Sequence, residues 1–300
     1  MKINSLHVLL TYQCNYACDH CFVWGSPEQT GVFTLARLEE VFQQALAVPT
    51  IREFYFEGGE SFLYYGLLVR AVARAHELGF ETGIVTNGYW ATAVEDAKVW
   101  LRPLAEAGLN RLDISVDDFH GNPEDDQQIH PAVTAAQELV LQCSTITIDP
   151  PAGQRDPTLT KPGLPLTGGD VMFRGRAAVQ LTAGLPQQPW QTFDRCPYEN
   201  LANPGRIHLD PFGYLHLCQG LAIGNLFERP LTQILDEFDP ETYPVVAALF
   251  AGGPAQLVRQ YDLTPEAGYV DACHLCYCAR ETLRSEFPDI LAPDQMYGVF

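Results

Sequence analysis

The sequence is poor in basic residues: 18 lysines and arginines stand against 37 aspartates and glutamates, giving a net charge of −19 over 300 residues. Binding to nucleic-acid phosphates or anionic lipid headgroups requires clustered positive charge. The deficit therefore argues against a nucleic-acid partner and against docking on anionic membranes. No run of about 18 or more apolar residues occurs, so no membrane span is expected.

Signals of export and of repetitive folds are also lacking. The first residues contain a short apolar run without a small-residue cleavage site, which predicts no signal peptide and a cytoplasmic location. No internal repeat, low-complexity tract or coiled-coil heptad is found. With 47% hydrophobic and 18% charged residues, the chain can bury a sizeable core, which excludes wholesale disorder.

Strand-like and helix-like segments alternate through the first half of the chain, which predicts βαβ units and a parallel sheet. Thr34 is a plausible N-cap of the first helix. Helices are predicted near 35–46, 62–78 and 91–106, and strands at 6–11, 53–57, 82–86, 111–116, 144–149 and 171–174. Helices on one side of such a sheet predict an α/β fold with a partial (β/α)6 barrel.

The fourth predicted strand carries two different faces. Leu112 and Ile114 share one face and would meet the helices, whereas Asp113, Ser115 and Asp117 share the other and would point into the lumen of the barrel. Polar lumen residues near the carboxyl end of a strand are typical of ligand sites in such barrels.

The pattern changes after the fifth strand. Residues 150–170 are rich in proline and glycine, which predicts a lid or connector. The barrel is assigned to 1–190 and a small mixed C-terminal domain to 191–300. Within that domain we expect a hairpin that turns at Pro211–Gly213 and a helix near 231–238.

Nine cysteines need an explanation in a chain without an export signal. Their odd number favours metal ligation over a disulfide framework. Cys143 stands alone and is predicted to be a small core residue. The others are Cys14, Cys18, Cys21, Cys196, Cys218, Cys273, Cys276 and Cys278.

Cys14, Cys18 and Cys21 follow the first predicted strand within a single loop. Thiolates are the standard ligands of iron–sulfur clusters, so three of them can hold a [4Fe–4S] cluster and leave one iron open for chemistry. Spacing alone leaves a zinc site with a remote fourth ligand as the alternative.

The residues around this loop resemble the radical S-adenosylmethionine (SAM) superfamily. The segment CNYACDHCF, with His20 before the last cysteine, is similar to its CxxxCxφC signature. The segment 57–60 (EGGE) resembles its GGE motif, although Ser61 stands where a proline is common. The segments 86–88 (TNG) and 113–118 (DISVDD) resemble two further SAM-binding segments, and all follow in the family's strand order.

The resemblance implies a SAM-binding [4Fe–4S] cluster on the three N-terminal cysteines. It implies reductive cleavage of SAM to a 5′-deoxyadenosyl radical that abstracts hydrogen from substrate, with a reductant such as flavodoxin or ferredoxin. Arg174 at the end of the sixth strand is expected to pair with the SAM carboxylate or an acidic substrate group. The complete expected set of SAM-binding residues is Gly58, Gly59, Glu60, Thr86, Asn87, Ser115, Asp117 and Arg174.

The C-terminal cysteines resemble those of the SPASM and Twitch auxiliary domains of the same superfamily. Gly213-x4-Cys218, followed by Gly224-Asn225, carries this resemblance. Too few thiols are present for two cubanes, so one auxiliary [4Fe–4S] cluster is expected, with Cys278 as the spare. Zinc is the alternative metal. The expected ligands are Cys196, Cys218, Cys273 and Cys276.

The combined expectation is an oxidoreductase in which the auxiliary cluster accepts an electron from a substrate radical. Asp117, Asp118 and His120 are candidates for the base, because they lie at the end of the fourth strand. The first strand begins by residue 6, so no leader-peptide domain is expected before it, which favours a small-molecule substrate. The alternatives are a ribosomal-peptide maturase that forms crosslinks or epimers, a non-catalytic electron-transfer protein and a zinc-binding interaction module.

Overall fold

The computed structural model describes residues 1–120, 129–151 and 168–299. The strands in these residues are β1 (Ile3–Thr11), β2 (Glu53–Gly58), β3 (Glu81–Thr86), β4 (Arg111–Ser115), β5 (Gln142–Asp149), β6 (Gly168–Asp170), β7 (Gln188–Pro189), β8 (Gly205–Leu209), β9 (Tyr214–Cys218), β10 (Leu221–Asn225) and β11 (Gly268–Tyr269). The helices are α1 (Leu35–Leu46), α2 (Tyr65–Glu77), α3 (Val94–Glu106), α4 (Ile129–Glu138), α5 (Arg176–Gln180), α6 (Leu231–Glu237), α7 (Val246–Gln260) and α8 (Ala272–Leu283). Short 3-10 helices lie at Ser61–Tyr64, Trp190–Thr192 and Asp294–Tyr297.

Six parallel strands form the centre of the fold. Strands β1 to β6 lie side by side in chain order, and each pairs in parallel with the next. This arrangement confirms the predicted α/β fold with a mostly parallel central sheet.

The sixth strand lies before the predicted segment 171–174. It pairs with β5 at Gly168–Asp170. Val171 and Phe173 instead pack with Ala177 in a small apolar cluster beside the sheet, so this apolar run follows the strand. Most of the predicted lid or connector, residues 152–167, lies outside the described residues.

The helices that follow the first strands bury one apolar face each, as their periodicity predicts. Thr34 caps α1, because its side chain accepts a 3.2 Å hydrogen bond from the backbone nitrogen of Arg37. Phe42 of α1 packs edge-on against Phe54 of β2, with ring centroids 4.9 Å apart. The second predicted helix begins with the 3-10 helix at Ser61–Tyr64 and continues as α2.

The two faces of the parallel sheet differ in chemistry. Leu112 and Ile114 of β4 are fully buried in the apolar core. The opposite face carries Asp113 and the side chain of Tyr55, whose hydroxyl donates a hydrogen bond to Asp113. To reach Asp113, the Tyr55 ring passes over Gly83, and a Cβ on Gly83 would lie 2.3 Å from the ring. We call this polar side the lumen face.

The C-terminal region continues the same sheet. Strand β8 pairs in parallel with the other edge of β1, and β9 and β10 follow it in antiparallel order. The nine-stranded sheet in the described residues therefore has the order β10-β9-β8-β1-β2-β3-β4-β5-β6. It crosses the boundary predicted between residues 190 and 191, because the backbone of β8 pairs with the open edge of β1. The division into two domains stays a prediction.

The predicted turn at Pro211–Gly213 joins β8 to β9, and the helix predicted near 231–238 is α6. Helices α7 and α8 pack together at the end of the chain. Among the described residues, no helix combines the length and apolar character needed to cross a membrane.

Candidate active site and cysteine centres

The first three cysteines lie in the loop that leaves the carboxyl end of β1. Cys14 is buried, and Cys18 and Cys21 are half-buried. The backbone of the loop is internally bonded: the nitrogen of Cys14 donates to the carbonyl of Ser26 at 3.0 Å, and that of Cys21 to the carbonyl of Cys18 at 3.0 Å. The loop therefore presents the three thiols from a defined backbone.

The segment after β6 holds this loop from outside. Arg176 donates from Nη1 to the carbonyl oxygen of Cys18 at 2.7 Å and from Nη2 to that of Gly25 at 2.9 Å. Gly175 adopts a φ of 59°, and a Cβ there would lie 2.6 Å from the carbonyl oxygen of Cys21. Glycine is therefore required where the two segments meet.

The environment of the sulfur atoms suits thiolates that bind a metal cluster. The backbone nitrogens of Tyr16 and Gly25 lie 3.4 Å from Cys14 Sγ and 3.2 Å from Cys21 Sγ, as donors to sulfur. Burial, with smaller contributions from Glu60 and Cys21, raises the pKa of Cys14 to about 12, although the hydrogen bond from Tyr16 N opposes the rise. Burial, with Cys21 and Cys14 close by, also raises the pKa of Cys18. Bound iron offsets this cost because it takes thiolates, so the three converging thiols fit a [4Fe–4S] cluster.

Gly58 and Gly59 at the end of β2 pack against the cysteine loop. A Cβ on Gly59 would lie 2.1 Å from the carbonyl oxygen of Gln13, and one on Gly58 would lie 2.3 Å from that of Thr11. The nitrogen of Gly59 donates to the carbonyl of Thr11 at 2.7 Å. The protein's own backbone therefore approaches these two positions too closely for a side chain. The SAM contacts expected of Gly58 and Gly59 stay predictions.

Glu60 ties β2 to the TNG segment after β3. Its Oε1 accepts hydrogen bonds from Phe62 N at 3.0 Å and from Thr86 Oγ1 at 2.9 Å, and its Oε2 accepts one from Asn87 N at 2.8 Å. The residue is 1% exposed. Burial raises the pKa of its carboxyl to about 7, despite these donors. Its contact with the SAM ammonium stays a prediction.

Asn87 joins this group to the cysteine loop. Its Nδ2 donates to Asn15 Oδ1 at 2.9 Å and lies 3.8 Å from Cys14 Sγ. Ser115 is half-buried at the end of β4 and pairs with Ile146 of β5. The SAM contacts expected of Thr86, Asn87 and Ser115 stay predictions, although Thr86 and Asn87 lie beside Glu60.

Asp117 and His120 form a hydrogen-bonded pair after β4. Asp117 Oδ1 lies 2.7 Å from His120 Nδ1, and Oδ2 accepts a hydrogen bond from Ile148 N at 3.2 Å. Burial raises the pKa of Asp117, but the contact with His120 outweighs it and holds that pKa below its usual range. Asp118, the third candidate base, is exposed. Two of the three candidate bases, Asp117 and His120, are therefore in direct contact, whereas Asp118 is directed to solvent.

Four C-terminal cysteines line one small cavity. Cys273 and Cys276 come from α8, Cys218 from the end of β9, and Cys196 from the loop before β8. The backbone nitrogen of Glu199 lies 3.4 Å from Cys196 Sγ. Burial, with a smaller contribution from the nearby Cys218, raises the pKa of Cys196 to about 12. All nine cysteines are free thiols, so this donor set fits a second cluster; the ligand roles stay predictions.

Two arginines face the same cavity. Arg174 Nη1 lies 3.3 Å from both Cys218 Sγ and Glu199 Oε1. The expected contact of Arg174 with the SAM carboxylate or an acidic substrate group stays a prediction. Arg280 is 1% exposed, and its Nε donates to the carbonyl of Cys276 at 3.3 Å. Arg280 was not predicted from the sequence, although its spacing of four residues from Cys276 on a helix indicates proximity.

Helix geometry separates Cys278 from its neighbours. Cys273 and Cys276 are three residues apart on α8 and share a face, whereas Cys278 is two residues further on and does not line the cavity. Cys143 is half-buried in β5 and packs against the apolar core. The roles expected of Cys278 as the spare thiol and of Cys143 as a small core residue stay predictions.

Comparison with known proteins identifies the first part of the chain. Residues 8–136 match the model of the Radical SAM superfamily. The matched stretch includes the cysteine loop, Glu60 and the pair of Asp117 and His120. The chain therefore carries a radical SAM superfamily domain, which supports an enzyme and implies a [4Fe–4S] cluster and SAM as cofactors.

Relatives share this domain over part of their length. Over 120 residues the chain is 25% identical to the putative peptide biosynthesis protein YydG of Bacillus subtilis (strain 168), covering 40% of this chain and 38% of that protein. Over 125 residues it is 34% identical to the probable GTP 3′,8-cyclase of Methanothermobacter thermautotrophicus (strain Delta H), covering 41% and 37%. The chain thus matches less than two fifths of the length of either relative.

The fold has a counterpart among solved structures. The crystal structure of BtrN in complex with AdoMet and 2-DOIA aligns with a TM-score of 0.52 and 15% identity. The alignment covers 80% of this chain and 84% of that one, so the similarity of fold extends beyond the matched domain into the C-terminal region.

Proposed function

We propose that the chain is a radical SAM oxidoreductase that removes a hydrogen atom, a proton and an electron from a substrate bound at the lumen face. The observation that carries the proposal is the presence of two separate cysteine groups in one fold. Three cysteines converge after β1, and four line a cavity beside Arg174 and Arg280.

Cys14, Cys18 and Cys21 would hold the SAM-binding cluster, and the four C-terminal cysteines would hold the auxiliary one. When bound, the first cluster and SAM supply a radical that takes the hydrogen atom, and the auxiliary cluster supplies an acceptor for the electron.

The chain's own residues position these groups and move the proton. Arg176 fixes the cysteine loop, and Glu60 fixes the ends of β2 and β3 against it. Asp117 holds His120 through Nδ1, which leaves Nε2 to accept a proton from a substrate hydroxyl or amine. Asp117 is thus a positioning residue and His120 is the base.

The test begins with anaerobic reconstitution and metal analysis. About eight iron and eight sulfide per chain are expected, since each cubane needs four of each. With dithionite and SAM, the protein should release 5′-deoxyadenosine. The triple change of Cys14, Cys18 and Cys21 to Ala should leave about four iron and abolish this release. Stoichiometric zinc without broad visible absorption, or intact clusters without SAM cleavage, would contradict the proposal.

The auxiliary role is tested separately with a substrate deuterated at the reacting carbon. Deuterium should appear in 5′-deoxyadenosine. In Cys218→Ala, product formation should fail while SAM cleavage persists. Product formation at the normal rate in that variant would assign the C-terminal cysteines a structural or substrate-anchoring role instead.

The similarity to YydG favours a second candidate, the modification of a ribosomally made peptide. The two substrate classes are distinguished by co-expression with any short precursor peptide encoded beside the gene. Loss of two hydrogen atoms from the peptide would indicate oxidative crosslinking. Uptake of one solvent deuterium without that loss would indicate epimerisation. An unchanged peptide would favour a small molecule.

A further inference from the structure

A second group of polar side chains lies on the lumen face, apart from both cysteine groups. His7 of β1 stands directly opposite His208 of β8 and Tyr55 of β2 in the parallel ladders. Glu57 is two residues beyond Tyr55 on β2, and side chains two apart on a strand share a face. The register therefore places His7, His208 and Glu57 together.

Their separations match those of ligands around one metal ion. Glu57 Oε1 lies 3.5 Å from His7 Nδ1 and 2.9 Å from His208 Nε2, and the three donor atoms lie within 4.8 Å of one another. Metal bonds of about 2.1 Å place neighbouring ligand atoms about 3.0 Å apart in an octahedron and about 3.4 Å apart in a tetrahedron. Both separations from the carboxylate are close to these values.

The carboxylate oxygen at the centre is buried and faces the two imidazole nitrogens. Apart from these two nitrogens, it has no donor in the described part of the chain. Removing a carboxylate from water costs free energy, which a coordinated cation would offset.

Aromatic packing holds the rings of this group. The Tyr55 ring stacks on His7, with centroids 5.1 Å apart and planes at 13°, and the hydroxyl of Tyr55 is anchored on Asp113. The ring of Phe22, next to Cys21 in the chain, meets His208 edge-on at 5.9 Å. Such supporting contacts orient ligands before a metal binds.

We propose that His7, Glu57 and His208 bind one divalent transition-metal ion on the lumen face. Two imidazoles and one carboxylate suit zinc, ferrous iron or manganese, and three protein ligands leave positions open for a further ligand. The open positions would take an oxygen or nitrogen donor of the substrate, such as a hydroxyl, carbonyl or carboxylate. Metal binding here does not depend on the proposed radical chemistry.

The experiment uses the holoenzyme with its clusters reconstituted, freed of loosely held iron with a chelator and desalted. Mn²⁺ is the probe, because it prefers nitrogen and oxygen ligands to any remaining thiols. Titration followed by the signal of free Mn²⁺ in electron paramagnetic resonance should show one saturable site per chain. Pulsed measurements should detect two imidazole nitrogens, and Zn²⁺ should displace the Mn²⁺.

His208→Gln, His7→Gln and Glu57→Gln should each weaken Mn²⁺ binding by roughly 100-fold, since loss of a supporting residue alone costs 10–100-fold. His130→Gln, which changes an exposed histidine, is the matched control and should bind as the wild type does. Iron content and thermal melting check that each variant is folded with its clusters. No saturable site in the wild type, or equal binding by wild type and Glu57→Gln, would overturn the proposal and leave an ordinary polar group.

Discussion

Arg176 donates a hydrogen bond from Nη1 to the carbonyl oxygen of Cys18 at 2.7 Å. Arg176 follows β6 and Cys18 follows β1, so the contact joins the segments that leave the first and the last strand of the series β1 to β6. The residue also bonds the carbonyl of Gly25 at the far end of the loop. One buried guanidinium therefore holds the cysteine loop at two points.

Replacing Arg176 should weaken the first cluster. Each hydrogen bond from a charged group contributes about 1.5–3 kcal/mol, and Arg176→Leu removes two. We expect faster loss of about four iron to a chelator and a matching fall in 5′-deoxyadenosine release. The rate of iron loss is measured by iron analysis at a series of times after the chelator is added. Arg102→Ala, at an exposed arginine, should behave as the wild type; equal iron retention by both variants would show that the loop holds its cluster unaided.

The iron content of single cysteine variants should distinguish the cysteines that bind the auxiliary cluster from those that do not. Cys196→Ser, Cys218→Ser, Cys273→Ser and Cys276→Ser should each lose about four iron, because each thiol lines the same cavity. Cys278→Ser and Cys143→Ser should keep full iron, since neither thiol lines it. Iron and sulfide analysis of each purified variant measures the difference between these two sets. Loss of four iron in Cys278→Ser, with retention in Cys273→Ser, would exchange the two assignments.

Local patterns predicted the parallel half of the fold well. The spacing of Leu38, Val41 and Phe42 fixes a buried helical face, and the alternation in β4 separates Ile114 from Asp113. Each of these signals acts within one element, so no knowledge of distant partners is needed. The cysteine loop is similarly local, because Cys14 and Cys21 are only seven residues apart.

Features that depend on distant pairing were not predictable in this way. The attachment of β8 to β1 depends on an open sheet edge that no local pattern records. Arg174 lies at Cys218 because of the path of the chain after β6, not because of its neighbours in sequence. His7 and His208 are about two hundred residues apart, and only the register between their strands brings them together.

Arg280 should raise the reduction potential of the auxiliary cluster. Its buried guanidinium lines the cavity, and a fixed positive charge favours the more negative, reduced cluster. Arg280→Gln should lower the potential by several tens of millivolts, where about 59 mV corresponds to tenfold in a one-electron equilibrium. A redox titration followed by electron paramagnetic resonance measures the shift. Arg259→Gln, at an exposed arginine, is the control, and identical potentials in both variants would contradict the assignment.

Glu60 should make SAM binding depend on pH. Burial raises the pKa of its carboxyl to about 7, so the carboxylate is present above that pH and is protonated below it. An ammonium group is attracted to the carboxylate and not to the neutral acid, so SAM affinity should fall as the pH drops below 7, by about 1.5–3 kcal/mol in all. Equilibrium binding of SAM to the reconstituted protein at a series of pH values measures this dependence.

Glu60→Gln removes the charge but keeps the shape, so SAM should bind about 1.5–3 kcal/mol more weakly above pH 7, with little dependence on pH.

The free energy of unfolding should depend on pH in the opposite way to SAM affinity, falling as the pH rises. A carboxyl whose pKa is raised by folding stabilises the fold at low pH, and this contribution is lost as pH rises through 7. Without SAM, Glu60→Gln should therefore gain stability relative to the wild type as pH rises. Glu106→Gln, at an exposed carboxylate, should show neither effect. A wild-type SAM affinity that stays constant across this range would separate Glu60 from the SAM ammonium and leave it only its role in joining β2 to β3.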